Sequence, residues 1–319
     1  MKIVARAFLL LMCLAAPAQA EDFSSWLSTF RQEALQQGIS ERTLDAAFAS
    51  TEPDEVVLRL DRKQPEGRLT LAQYLKNTLT KKRYQRAQEA YDENKELLQK
   101  IGKEFGVQPR FIVALWGVET DFGRNTGDFI IINSLATLAY DGRRADFFRG
   151  ELMDALRIME AEGLATEDMY GSWAGALGQC QFMPSTFLKH AVDYDKDGKR
   201  DVWGNQGDVF ASIANYLKSL GWNEQGGWGR PVKLPRGFNT SLADIKQSRP
   251  LSEWKKLGVR KSDGKPLPEG EMNASLIFVG EGEGAPTYII YDNYKALLQW
   301  NRSRYFATSV GMLADSIRP

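Results

Sequence analysis

Residues 107–129, VQPRFIVALWGVETDFGRNTGDF, constrain the fold more than any other stretch of this chain. Pro109 suits the first position of a helix and Gly123 suits a helix end, so the segment predicts a helix of about four turns. Between Phe111 and Trp116 this helix is apolar on nearly every side, which indicates burial rather than a solvent-facing stripe. The sequence therefore predicts a central, buried helix.

One carboxylate, Glu119, stands near the end of this apolar helix. Helical spacing places Leu115, Trp116 and Phe122 on its face, and desolvation raises the pKa of a carboxyl group. A glutamic acid that stays protonated near neutral pH can act as a general acid in the cleavage of a glycosidic bond. The alternative is a solvated charge or an ion pair with Arg124, and the helix alone leaves both readings open.

The first 20 residues have the layout of a cleavable secretory signal peptide. Lys2 and Arg6 precede an apolar run that is too short to span a bilayer, and Ala18–Ala20 form the cleavage site. Met12 before Cys13 departs from the small residue of a lipoprotein signal. We therefore expect a soluble periplasmic protein without a lipid anchor or a membrane span.

The composition of the exported chain limits its chemistry. Removal of the signal leaves 39 basic and 41 acidic residues, so nothing indicates a nucleic-acid partner. Cys180 then becomes the only cysteine, and His190 is the only histidine. We expect Cys180 to be a buried structural thiol rather than a nucleophile, and a single histidine makes a zinc site of the usual kind improbable.

The pattern along the rest of the chain predicts a mainly α (α+β) fold. Helical spacing dominates residues 22–102, including one long stretch at 68–102, and continues at 145–163. Further helices are expected from Pro184 to Val192 and over 208–222. The predicted regions are a signal peptide at 1–20, a helical N-terminal domain at 21–94, a helical core at 95–222, a small β domain at 223–291 and C-terminal helices at 292–319.

The β domain is predicted from short β-branched or aromatic runs near residues 229, 274 and 287, which Gly and Pro punctuate. We expect a small, mostly antiparallel sheet with helical turns near 241 and 251. The helical core contains a contrasting stretch at 171–187, dense in Gly and Ala, which lets backbone approach backbone or ligand closely.

Residues 193–208, DYDKDGKRDVWGNQGD, resemble the start of a calcium-binding loop. Three aspartates stand at alternate positions: Asp193, Asp195 and Asp197. Gly198 follows them, and Lys199 is placed to give its backbone carbonyl at the seventh position. The usual glutamate at the twelfth position is replaced by Gly204, so we expect Asp208 to close a longer loop. The alternative is an Asp-rich turn without an ion.

Several motifs together resemble the membrane-bound lytic murein transglycosylase B family (glycoside hydrolase family 103). They are GVETDFG at 117–123, GSWAGALGQCQFMP at 171–184, the Asp loop with Val202 and Trp203, ANY at 214–216 and WNRS at 300–303. Their order matches, and the resemblance covers nearly the whole mature chain. It implies a lysozyme-like helical core and an enzyme that cleaves peptidoglycan glycan strands between N-acetylmuramic acid and N-acetylglucosamine, with cell-wall synthases as candidate partners.

The resemblance also assigns roles to individual residues. Glu119 matches the sole catalytic acid/base of the family. Positions that line its sugar-binding groove correspond to Ser172, Gln181, Met183, Tyr216, Asn301 and Phe147. The calcium loop of the family corresponds to Asp193, Asp195, Asp197, Lys199 and Asp208. Phe147 and Phe306 depart from the family, because the best-known member has groove tyrosines there.

The number of carboxylates separates the candidate reactions. A glycosidase that adds water ordinarily uses two, one on each side of the bond. No second acid is obvious in the groove motifs, and Asp121 faces away from Glu119 on the helix. One acid suffices if the 6-hydroxyl of the sugar attacks, which gives 1,6-anhydromuramic acid ends. A hydrolytic muramidase and a non-catalytic peptidoglycan-binding scaffold are the alternatives.

Overall fold

The computed structural model describes residues 22–63, 69–270, 272–280 and 284–319. The predicted signal peptide lies outside these residues. No helix in this part of the chain combines the length and the apolar character that crossing a membrane requires.

Six helices make up the N-terminal part: α1 (Phe23–Gln36), α2 (Glu41–Phe48), α3 (Glu55–Arg62), α4 (Leu71–Thr78), α5 (Lys81–Glu93) and α6 (Lys95–Phe105). The expected single helical stretch at 68–102 is therefore wrong in detail, because it is divided into α4, α5 and α6. Thr80 causes the first break, since its side chain accepts a hydrogen bond from the backbone N–H of Arg83 and so caps a new helix. Asn94 separates α5 from α6.

The central helix is α7 (Pro109–Thr120), and its residues 111–117 are all buried. It packs against α5, α6, α11 and α14, so the prediction of a buried central helix is confirmed. Six further helices of the described chain complete the helical body: α8 (Ile131–Asp141), α9 (Ala145–Glu162), α10 (Pro184–His190), α11 (Gln206–Ser219) and, after the sheet, the pair α13 (Asp292–Trp300) and α14 (Arg304–Ser316).

Helix α7 ends three residues before the expected Gly123. Asp121 and Phe122 both have positive φ angles, 51° and 62°, so Phe122 does not continue the helical spacing and its predicted place on the face of Glu119 is wrong. Its ring turns back onto Trp116, with 5.5 Å between ring centroids. The absence of a side chain at Gly117 makes room for the Phe122 ring. A Cβ at this position would lie 2.5 Å from the ring, which is too close for non-bonded atoms.

The predicted antiparallel sheet is present in the order β4-β6-β7-β3-β5. Its strands are β3 (Gly229–Lys233), β4 (Ser248–Pro250), β5 (Arg260–Lys261), β6 (Asn273–Phe278) and β7 (Thr287–Ile290). Helix α12 (Leu251–Lys256) and a 3-10 turn at Thr240–Leu242 fall where helical turns were expected. Trp254 is fully buried and belongs to a hydrophobic cluster of this region that is separate from the main core.

A second, two-stranded sheet was not predicted. Strand β1 (Phe129–Ile130) pairs with β2 (Tyr170–Gly171) and joins the chain after α7 to the Gly-rich stretch. The two backbones approach so closely that a Cβ on Gly127 would lie 2.1 Å from the carbonyl oxygen of Gly171. This contact fixes the position of Ser172 relative to the end of the central helix.

Candidate active site

Glu119 is half-buried in the last turn of α7. The indole Nε1–H of Trp300, the last residue of α13, donates a hydrogen bond of 2.7 Å to Oε1 of Glu119. Arg124 is exposed, and within the described chain no charged group contributes to the pKa of Glu119. The ion-pair alternative for Glu119 is therefore not realised.

Burial raises the pKa of Glu119 to about 7, against the opposing effect of the Trp300 hydrogen bond, which favours the charged form. A carboxyl group with this pKa is protonated in a large fraction of molecules at neutral pH. It can therefore donate a proton and, once ionised, accept one. This is the pKa that general acid/base catalysis near neutral pH requires.

Four rings form an aromatic cluster beside Glu119: Phe182, His190, Tyr216 and Trp300. Tyr216 lies 4.9 Å from Trp300 and 4.5 Å from His190, measured between ring centroids. Phe182 contacts Trp300 at 5.4 Å and Tyr216 at 5.5 Å. Tyr216 and Trp300 are half-buried, so the cluster offers apolar ring surface next to the carboxyl group.

The Gly-rich stretch carries two of the polar groove candidates, Ser172 and Gln181. The Ser172 hydroxyl accepts a hydrogen bond from the backbone N–H of Ala176 at 3.0 Å. The Gln181 side-chain amide donates to the carbonyl oxygens of Thr126 and Gly178, at 2.9 and 3.0 Å. Gln181 itself has a φ angle of 51°, so this side chain and two backbone segments hold each other in place.

The remaining groove candidates lie on three different elements. Met183 is half-buried at the N-cap of α10, and its neighbour Phe182 is in the core. Asn301 is exposed between α13 and α14, and its side-chain oxygen accepts from the Ser303 N–H at 3.0 Å. Phe147 on α9 is 49% exposed, the largest exposure among the exposed large hydrophobic side chains of the described chain. Phe306, in contrast, is buried.

Behind Glu119, Gln179 joins the central helix to the Asp-rich loop. Its side-chain oxygen accepts from Trp116 Nε1 at 2.8 Å, and its amide donates to the Trp203 carbonyl at 2.7 Å. The Thr120 hydroxyl donates to the Gln179 backbone carbonyl at 3.2 Å. Sequence reasoning missed Gln179, although its position between Gly178 and Cys180 in the Gly-rich motif was a signal.

Asp121 turns away from Glu119, as helical spacing predicted, although it caps α7 in the left-handed conformation. Its two oxygens form ion pairs with Arg83, at 3.3 Å, and with Arg86. All three side chains are at most 20% exposed. The N-terminal helix α5 therefore fastens the end of the helix that carries Glu119.

Cys180 and His190 take no nucleophilic role in this arrangement. Cys180 is fully buried, and burial raises its thiol pKa well above the usual range. The expectation of a buried structural thiol is confirmed. His190 stacks on Tyr216, and burial lowers its pKa. A surface depression of about 670 Å³ near residues 92–100 contains none of the candidate residues, so volume alone does not locate the site.

The three alternating aspartates meet as the spacing predicted. Side-chain oxygens of Asp193, Asp195 and Asp197 lie within 4.8 Å of one another. Backbone N–H groups within the loop hold them, because Asp193 accepts from Asp197 and Gly198 at 3.1 and 2.9 Å. Three carboxylates in one turn are a donor set suited to a hard divalent cation.

Asp208 closes the loop in a way that the sequence did not indicate. It is fully buried, and its two oxygens accept from the backbone N–H groups of Tyr194 and Asp201, each at 2.7 Å. Burial, with a smaller contribution from the charges of Asp195 and Asp193, raises its pKa to about 6 against the opposing effect of these two hydrogen bonds. Lys199 donates its N–H to Asp197 at 2.8 Å. Asp208 thus ties both sides of the loop to α11.

Comparisons with known proteins agree with this geometry. A family model described as the transglycosylase SLT domain matches residues 22–315. Membrane-bound lytic murein transglycosylase B of Escherichia coli (strain K12) is 31% identical over 250 residues, which cover 76% of this chain and 66% of that protein. SltB3 from Pseudomonas aeruginosa, in complex with NAG-anhNAM-pentapeptide, has a TM-score of 0.89 at 42% identity over 93% of this chain and 79% of that one. Escherichia coli Slt35, in complex with calcium, has a TM-score of 0.75 at 28% identity over 91% of each chain.

The fold is therefore the mainly helical, lysozyme-like fold of lytic transglycosylases, and the predicted fold class is confirmed. The chain belongs to the transglycosylase SLT domain family, a family of enzymes that act on peptidoglycan. The resemblance found in the motifs is confirmed as well. The boundaries of the predicted domains stay predictions.

Proposed function

We propose that the protein is a lytic transglycosylase that cleaves the β-1,4 bond between N-acetylmuramic acid and N-acetylglucosamine in peptidoglycan, with Glu119 as the only acid/base. The observation that carries this proposal is the surroundings of Glu119. Its carboxyl has a pKa of about 7, its hydrogen-bond partner is an indole, and no second carboxylate of the described chain contributes to that pKa. Hydrolysis would ordinarily need a second carboxylate on the other side of the bond.

In the proposed reaction, protonated Glu119 donates its proton to the glycosidic oxygen, and the bond from that oxygen to C1 of the muramic sugar breaks. The acetamido group of the same sugar stabilises the positive charge that develops at C1. Ionised Glu119 then removes the proton of the sugar's 6-hydroxyl, whose oxygen bonds to C1. The product end is a 1,6-anhydromuramic acid, and Glu119 regains its proton. Internal attack competes with water because the hydroxyl is already held close to C1.

The hydrogen bonds that the polar groove residues already form determine which of their atoms are free to bind a sugar. Ser172 accepts from Ala176, so its hydroxyl hydrogen remains available for donation. Gln181 uses its amide hydrogens on Thr126 and Gly178 and therefore offers its oxygen as an acceptor. We assign Ser172 and Gln181 to the acetamido group or its neighbouring hydroxyls on this basis.

Asn301 completes this set from the opposite element. Its oxygen is occupied by Ser303, so its amide hydrogens are the groups free to donate. The apolar faces of the sugars would contact Met183, Tyr216 and the exposed ring of Phe147. Phenylalanine at 147 keeps ring contact and offers no hydroxyl.

Calcium is the proposed structural cation of the loop at 193–208. The clustered oxygens of Asp193, Asp195 and Asp197 support it, and Slt35 was crystallised with calcium. Asp208 and the Lys199 carbonyl are the further ligands that the family resemblance implies. Calcium would stabilise the loop by offsetting the repulsion of the carboxylates, and the chemistry at Glu119 needs no metal.

The cellular setting completes the proposal. Residues 1–20 would direct export to the periplasm, where peptidoglycan is accessible, and the mature chain would carry no lipid. Cell-wall turnover and remodelling is the corresponding role. Cell-wall synthases as partners stay a prediction from the family resemblance.

The proposal is tested by incubating purified peptidoglycan sacculi with the wild-type protein and with Glu119→Gln. The substitution keeps the side-chain volume and an oxygen that can accept from Trp300, and it removes the transferable proton. We expect release of soluble fragments to fall at least about 10²- to 10⁴-fold, since the same group serves as acid and as base. Exposed Glu89 on α5 provides the control Glu89→Gln, which should cleave at the wild-type rate. Near wild-type release by Glu119→Gln would refute the assignment.

A further inference from the structure

The geometry points to Trp300 as a positioning residue, which holds Oε1 of Glu119 so that Oε2 alone delivers the proton and takes it back. This inference deepens the proposed function and rests on it. It concerns which oxygen of the carboxyl group reacts, a question that the identity of the acid leaves open.

The chemistry of the indole supports the assignment. Trp300 Nε1–H is a donor that cannot accept a hydrogen bond, so the Glu119 oxygen that it contacts at 2.7 Å must be an acceptor in both protonation states. The carbonyl oxygen of a protonated carboxyl group is its stronger acceptor, so this hydrogen bond favours the form in which the hydrogen is on Oε2. In the ionised state Oε1 is still occupied by the indole, which leaves Oε2 to receive the proton of the 6-hydroxyl.

The position of Trp300 is held by the packing of two other rings, which also contact each other. Tyr216 and Phe182 contact it at centroid distances of 4.9 and 5.4 Å. The helix that carries it is anchored by Tyr294, which is fully buried and whose hydroxyl lies 3.0 Å from both the Arg304 carbonyl and the Thr308 hydroxyl. A side chain held in this way can orient a carboxyl group, because it loses little freedom when the hydrogen bond forms.

The strand region contributes to the same anchor. Arg304, at the start of α14, donates to the carbonyl oxygen of Phe278 at the end of β6, at 2.9 Å. The sheet inserted between α11 and α13 is thereby attached to the turn at 301–303 that follows Trp300. Trp300 therefore contacts Glu119, 181 residues away in sequence, from the end of a helix that several contacts hold in place.

The first experiment uses the wild-type protein without substrate. The ¹⁵N and ¹H chemical shifts of the Trp300 indole are followed by NMR from pH 5 to pH 9 in wild type and in Glu119→Gln. We expect the wild-type indole proton to titrate with a midpoint near the Glu119 pKa of about 7, and to be insensitive to pH in Glu119→Gln. A wild-type indole shift that does not titrate would overturn the positioning role.

The second experiment replaces the donor. Trp300→Phe keeps a ring against Tyr216 and removes the N–H, so the pKa of Glu119, measured by ¹³C NMR of the carboxyl, should rise by about one unit. The upper limb of the pH profile of kcat/KM should move to higher pH by the same amount, and kcat should fall at least about tenfold while KM changes little. Trp254→Phe is the matched control, because it makes the same substitution in the hydrophobic cluster of the strand region, which is separate from the main core. Its Glu119 titration should equal that of wild type.

The outcomes separate the two proposals. An unchanged Glu119 titration in Trp300→Phe, with a wild-type protein that cleaves sacculi, overturns the positioning role and leaves the proposed function standing. A shifted titration together with a wild-type protein that releases no fragments overturns the proposed function, while the hydrogen bond's control of the carboxyl remains supported. A change confined to KM would contradict the positioning role, since it would indicate a sugar contact instead.

Discussion

Glu119→Gln should stabilise the protein at alkaline pH, although it removes catalysis. In an unfolded chain the pKa of glutamate is about 4.3, whereas burial raises that of folded Glu119 to about 7. Between these values the folded protein keeps a proton that the unfolded chain has lost. The free energy of unfolding therefore falls as pH rises from about 4 to about 7, and it stays low above pH 7.

The shift of pKa sets the magnitude. Each unit corresponds to about 1.4 kcal/mol, so a complete shift would cost at most about 3 to 4 kcal/mol. Glu119 keeps part of its surface exposed to solvent, and solvent screening reduces this cost to roughly 2 kcal/mol. Glutamine carries no such cost, so the variant should be more stable than wild type by roughly this amount at pH 8.

Thermal unfolding at pH 4, 6 and 8, followed by circular dichroism, measures this difference. The midpoint of Glu119→Gln should equal that of wild type at pH 4 and exceed it by a few degrees at pH 8. Glu89→Gln, at an exposed position on α5, should follow wild type throughout. If Glu119→Gln is no more stable than wild type at pH 8, ionised Glu119 does not destabilise the folded protein and the reasoning is wrong.

Three further predictions concern the surroundings of the site. Asp121→Asn should lower the unfolding free energy by about 1 to 3 kcal/mol, because two largely buried arginines lose their partner. Cleavage by this variant should stay within about tenfold of wild type, and a larger loss of cleavage would show that Asp121 takes part in the reaction. Gly117→Ala should lower the unfolding free energy by about 1 to 3 kcal/mol, because the added methyl group would collide with the Phe122 ring. Gly150→Ala, at a helical position with open space around it, should raise the unfolding free energy by up to about 1 kcal/mol. Equal effects of the two substitutions would contradict the close packing of Phe122 against Gly117. Calcium should raise the thermal midpoint and a chelator should lower it, by mass action on the Asp193 loop; an unchanged midpoint would leave only an Asp-rich turn.

Local patterns in the sequence predicted those features that depend on neighbouring residues. The burial of α7 followed from its apolar circumference, and the meeting of Asp193, Asp195 and Asp197 followed from their alternate spacing. The positions of β3, β6 and β7 followed from β-branched or aromatic runs, whereas β4 and β5 were not predicted. The sheet order β4-β6-β7-β3-β5 could not be predicted in this way, because pairing between distant strands depends on tertiary packing.

Local sequence patterns could not predict the contacts of the site residues either, because these contacts also depend on tertiary packing. Trp300 contacts Glu119 across 181 residues, so no helical spacing relates them. Gln179 joins Trp116 to Trp203 through side-chain and backbone groups on three segments. For Phe122 the helical spacing gave a wrong prediction. It placed Phe122 on the face of Glu119, but the left-handed backbone at residues 121 and 122 ends the helix before that position.

The structure of the released product tests the single-carboxylate account most directly. Muropeptides released from sacculi by the wild-type protein are separated and measured by mass spectrometry, with and without borohydride reduction. Attack by the sugar's own 6-hydroxyl predicts products that are lighter than hydrolytic products by one water and that borohydride does not reduce. Products that carry free reducing N-acetylmuramic acid would show that water is the nucleophile, and the account of Glu119 acting as sole acid and base on an internal hydroxyl would be wrong.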